Sequence, residues 1–119
     1  QEFLGGVRMI QISISMDDLF IKSVSSTGHA MFREKGTDIV CAAVSIMLRT
    51  FARILETSND FIISGGAENP GKYHLDVIDF PSNRKIWYSG VCDMLVKGLQ
   101  DISNEYPEYC LLKIELASI

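Results

Sequence analysis

The residues best suited to chemistry cluster around one cysteine. Cys41 lies in the run Gly36-Thr37-Asp38-Ile39-Val40-Cys41-Ala42-Ala43-Val44-Ser45, and His29 precedes it within Gly28-His29-Ala30. A thiol attacks as the thiolate, and an imidazole within hydrogen-bond reach completes the proton transfers of an acyl transfer. On a helix advancing 100° per residue, Asp38, Cys41, Ser45, Arg49, Arg53 and Glu56 share one stripe with Ala42 and Ala52. That stripe holds nearly all the polar content of the segment. A cysteine used as apolar filler would sit among the Leu and Ile residues instead.

Position along the helix adds to this. With Asp38 as N-cap, Cys41 is the third helical residue, beside unpaired backbone N–H groups and the positive end of the helix dipole. Such a setting favours a thiolate and could receive an oxyanion. Gly28 allows an otherwise costly backbone conformation just ahead of His29. Plainer readings stand beside these. A cysteine in an Ala-rich turn is commonly structural, Asp38 serves as a simple cap, and Ser45 can bond back to the helix backbone. His74, beside Asp76, reads as solvated. Cys92 and Cys110 read as inert, and Phe80, Trp87 and Tyr88 as core or interface residues.

The elements that must position these groups follow from periodicity. Arg8 to Ser15 alternates with Ile10, Ile12 and Ile14 on one side, the mark of a half-buried strand. A turn at Met16-Asp17-Asp18 leads to a second strand, Leu19 to Ser26. Gly28 to Gly36 has no period and reads as a loop. Asp38 to Glu56 lacks Gly and Pro and is apolar over most of its circumference, so it predicts a largely buried helix. Phe61 to Ser64 predicts a short strand, and Gly65-Gly66 through Asn69-Pro70-Gly71 a turn region. Tyr73 to Ile78 predicts another strand, Asn83 to Glu105 a helix stopped by Pro107, and Cys110 to Leu116 a final strand. The order β-β-α-β-β-α-β implies an α+β fold with two helices packed on a mainly antiparallel sheet.

At 119 residues the chain fits a single domain, 1–119, with 1–8 read as an expression scar before Met9. The net charge is −4, with Lys and Arg scattered, which disfavours a direct nucleic-acid partner. No apolar run is long enough for a membrane span. Three cysteines without a CxxC and two histidines match no zinc spacing, so no metal and no cofactor is expected. The odd cysteine count fits a reducing, cytoplasmic setting.

The run Gly28-His29-Ala30, a five-residue loop, and Gly36 to Ser45 closely resembles the signature of the bacterial ribosomal-processing cysteine proteases. The compatible order of elements extends the resemblance over nearly the whole chain from Met9. It implies Cys41 as nucleophile and His29 as base, with Asp38, Ser45 and Gly28 in support. It also implies an endopeptidase that removes the short N-terminal extension of a large-subunit ribosomal protein, acts as a homodimer, and opens the loop between histidine and cysteine to admit substrate. Met31-Phe32 departs from the pattern, since many members carry a small residue after the histidine motif. The alternative is a non-catalytic binding module for a ribosomal protein or assembly factor. A thiol phosphatase fits poorly, because Arg49 lies two turns beyond Cys41.

Overall fold

A computed structural model describes residues 9–28, 35–69 and 71–117. Five strands and two α-helices follow in the order β1 (Ile10–Asp17), β2 (Phe20–Thr27), α1 (Lys35–Ser58), β3 (Ile62–Asn69), β4 (Lys72–Asp79), α2 (Lys85–Glu105) and β5 (Cys110–Leu116). A single turn of 3-10 helix, Ser82–Arg84, leads into α2. The fold is α+β, as the pattern of periods implies.

The strands form one sheet in the order β3-β4-β2-β1-β5. All neighbours are antiparallel except β1 and β5, which run parallel. β1 and β2 form a hairpin whose tight turn places Asp18 at φ 56°, a left-handed conformation that Asp tolerates. β4 lies between β2 and β3, so α1 crosses over one strand. α2 crosses over β2 and β1 to deliver β5 at the far edge.

Alternation along each strand decides which face is buried. Ile10, Ile12 and Ile14 of β1, Val24 of β2, Leu75 and Val77 of β4 and Cys110 of β5 all point into the core. Gln11, Ser13 and His74 point outward. Both helices cover the inner face. Val40, Val44, Leu48, Phe51 and Leu55 form the buried stripe of α1, and Tyr88, Cys92, Leu95 and Leu99 that of α2. The helices approach closely at Gly98, where an added Cβ would collide with the Met47 side chain.

Most boundaries shift by one or two residues from the sequence expectation, β1 running on to Asp17 through part of the expected turn, and three further differences are informative. α1 begins at Lys35 rather than after Asp38, so the loop expected over 28–36 ends earlier. Gly36 weakens a helix by about 1 kcal/mol relative to Ala but does not forbid it. An acidic residue is also favourable inside a first turn, not only as its cap. α1 ends at Ser58, where Ser58 Oγ donates to the Leu55 carbonyl and Asn59 turns left-handed at φ 68°. β3 runs on through Gly65 and Gly66 to Asn69, where the sequence predicts a turn. Gly65 takes φ 104°, and a Cβ there would collide with the His74 carbonyl oxygen. These glycines therefore allow a bulged strand with close backbone approach, not a chain reversal.

Candidate active site

The buried and polar stripes of α1 are offset by one residue. Val40, Val44 and Leu48 face the core, while Cys41, Ser45 and Arg49 lean outward beside them, toward the end of the sheet formed by β2, β4 and the β3–β4 hairpin. Between that stripe and the sheet lies a cleft of about 320 Å³. Cys41, Ser45 and Gly28 all line it, together with Ser26, Arg49, Lys72 and Tyr73.

Gly28 is held in place from two sides. Its N–H donates to the Gly71 carbonyl at 3.0 Å, pinning the end of β2 to the β3–β4 turn. Its φ of 95° and the collision that a Cβ would make with the Met9 carbonyl oxygen leave room only for glycine. The chain thus leaves β2 at the mouth of the cleft, directly before His29. His29, the following loop to residue 34, and the segment 1–8 lie outside the described residues.

Cys41 is half-buried. Because α1 starts at Lys35, Cys41 is in the second helical turn and not the first. An amide so placed is already paired with the carbonyl four residues back, and the dipole effect falls off beyond the first turn. The expectation that helix-start amides next to the sulfur receive an oxyanion is therefore corrected. Asp38 is likewise inside the helix, one turn before Cys41, rather than its cap. Ser45 is exposed at the cleft one turn after Cys41. Its hydroxyl has no hydrogen-bond partner among the described residues, whereas Thr57 and Ser58 bond back to helix carbonyls.

Tyr73 forms the floor. It is 8% exposed and donates its O–H to the Leu48 carbonyl at 3.0 Å, which ties β4 to α1 beneath the cleft. Burial, reinforced by the negative charge of Glu56, pushes its phenol up to about 12. A protonated, neutral floor results. Tyr73, Lys72 and Ala67 had no site role in the sequence reading, because they reach the cleft only through strand pairing. Arg49 was legible, eight residues beyond Cys41 on the same stripe.

The other candidates lie elsewhere. His74 is exposed on the outer face, with Nε2 at 3.1 Å from Asp76 Oδ2. Cys92 and Cys110 are fully buried, and burial pushes both thiols up. No group of three or more His, Cys, Asp or Glu side chains suited to a metal occurs among the described residues. No described helix is long and apolar enough to cross a membrane.

Comparison with known proteins bears directly on this cleft. The chain is 33% identical over 107 residues to the ribosomal processing cysteine protease Prp of Mycoplasma genitalium, covering 90% of this chain and 97% of that protein. Its fold matches the crystal structure of SMU.848 from Streptococcus mutans, with a TM-score of 0.77, 29% identity, and coverage of 95% and 99% of the two chains. It also matches Prp from S. aureus in complex with a covalently linked product peptide, with a TM-score of 0.73, 26% identity, and coverage of 90% and 100%. Residues 9–111 match the family described as cysteine protease Prp. With a thiol-bearing cleft on a matching fold, the chain belongs to the family of ribosomal-processing cysteine proteases, Prp.

Proposed function

We propose that Cys41 is the nucleophile and His29 the base of this cysteine protease, and that it removes the N-terminal extension of a large-subunit ribosomal protein. The observation that carries the reading is the cleft itself. It gathers Cys41, Ser45 and the glycine immediately before His29, from elements that are separate in the fold.

His29 takes the proton of Cys41, and the thiolate attacks the scissile carbonyl carbon to give a tetrahedral oxyanion. The Ser45 hydroxyl, open to the cleft one turn away, donates to that oxyanion in place of helix-start amides. Collapse breaks the C–N bond, and His29 returns the proton to the leaving amine. Water then gives a proton to His29 while its oxygen attacks the thioester, which releases the acid product and restores the thiol. Asp38, one turn before Cys41, supports the imidazolium, and Gly28 directs the chain that carries His29. The S. aureus relative bound to a covalently linked product peptide supports a covalent route.

The protein acts as a single domain in the bacterial cytoplasm, as a homodimer, on the tail of a ribosomal protein. A peptide spanning the tail junction tests the chemistry. Cys41→Ala and His29→Ala should each lower kcat by at least about 10³-fold, with thermal unfolding of Cys41→Ala unchanged. Normal turnover by Cys41→Ala would end the proposal.

A further inference from the structure

The cleft does not stop at Ser45. A second depression of about 370 Å³ lies further along α1 and shares Arg49, Ala67 and Tyr73 with the first. The two adjoin through these three residues, with the polar stripe of α1 on one side and β3 on the other. Arg53 and Glu56 continue the α1 wall, and Gly65 and Gly66 continue the β3 wall. Arg49 and Arg53 are both exposed, and among the described residues neither is in an ion pair. The opposite wall is nearly bare of side chains. β3 is an edge strand, so the backbone groups on its outer side are not taken up by another strand.

We infer that this trough is an extended subsite that holds the substrate main chain several residues away from the scissile bond. Arg49 and Arg53 donate to its carbonyl oxygens. The inference rests on Cys41 being the reacting centre. A guanidinium offers a rigid fork of donors suited to carbonyl and carboxylate oxygens, and the glycine wall leaves space for side chains of varied size. The reach follows from helix geometry. At about 1.5 Å per residue, Arg49 and Arg53 lie roughly 12 Å and 18 Å along α1 from Cys41. An extended peptide covers about 3.3 Å per residue. The arginines therefore meet the substrate about four and about six residues from the bond that is cut. The substrate class is an unfolded, extended segment of that length, as a protein tail provides and a folded loop does not.

Three peptides spanning the tail junction test this: one with two residues on each side of the scissile bond, and two lengthened to seven residues on one side or the other. One of the long peptides should exceed the short one in kcat/KM by about tenfold, through KM. Arg49→Gln with Arg53→Gln should erase that advantage, and Arg→Lys at both positions should restore part of it. Equal kcat/KM for all three peptides, or an advantage that survives the double substitution, would overturn the inference. Affinity of the Cys41→Ala protein for the same peptides, with and without the arginine substitutions, separates the two readings. If the wild type cleaves nothing, the catalytic reading falls, while tight binding of one long peptide that needs the arginines still upholds the trough.

Discussion

The two helices each carry a cysteine, and the contrast between them shows what makes a thiol useful. Cys92 is on the buried stripe of α2, completely inaccessible, and its sulfur accepts the Ile21 N–H at 3.3 Å. Next to it, Tyr88 donates its O–H to the Ile21 carbonyl at 2.7 Å. The Tyr88 ring stacks on Phe20 and meets Phe61 and Phe80 edge to face, with centroids 4.8 to 6.2 Å away. Burial pushes the phenol well up and the thiol up. Here sulfur serves as a small apolar filler that also satisfies a backbone amide, so the β-bulge beside Ile21 keeps its hydrogen bonding. Cys41 sits one residue off the buried stripe of α1. That offset of about 100° turns it to the edge of the core, half-buried and lining the cleft. The lesson is one of register: a shift of one position separates a structural thiol from one that substrate can reach.

Reactivity should break the comparison most sharply. In the folded protein, iodoacetamide at pH 7 should label Cys41 at least about 10³-fold faster than Cys92 or Cys110, because the buried pair reacts only after opening. Mass spectrometry of the labelled chain reads the ratio, and comparable rates would erase the distinction. Stability should show the reverse order. Cys92→Ser places a hydroxyl in a sealed aromatic core and should lower unfolding stability by about 2 kcal/mol. Cys41→Ser should change it by less than about 0.5 kcal/mol. Denaturant melts of the two variants check this.

The smallest effect concerns the floor of the trough. Tyr73 titrates near 10 when unfolded and at about 12 when folded. The unfolded chain therefore loses its proton first as pH rises. Stability from this group is complete below pH 10 and declines between the two values, by about 1 kcal/mol at pH 11. Tyr73→Phe should flatten that part of the stability profile while removing the hydrogen bond to Leu48. An unchanged alkaline slope would mean that Tyr73 is not sealed beneath the cleft.

Much of this was legible in the chain because its periods are strong. The alternation of Ile10, Ile12 and Ile14 and the spacing of Val40, Val44, Leu48, Phe51 and Leu55 report burial directly. Asp38 misled the placement of the α1 start, since a good capping residue is equally at home inside the first turn. Gly65-Gly66 misled at β3, since the same conformational freedom that makes a turn also makes a bulge. Ser45 and Arg49 were visible as stripe partners of Cys41. Their common cleft with Tyr73 and Ala67 was not.

The sequence by itself determined the local facts: which residues alternate, which helix face is polar, and that a cysteine on that face follows shortly after a histidine behind a glycine. These depend on contacts between residues near in the chain, where the geometry of one element suffices. Only the tertiary structure decided what stands opposite Cys41. β4 enters between β2 and β3, so the hairpin of residues 62–79 is brought against a helix that precedes it, and Gly71 is bonded to Gly28. Such pairings are chosen by the burial of the whole sheet at once, and no short window of sequence carries that information.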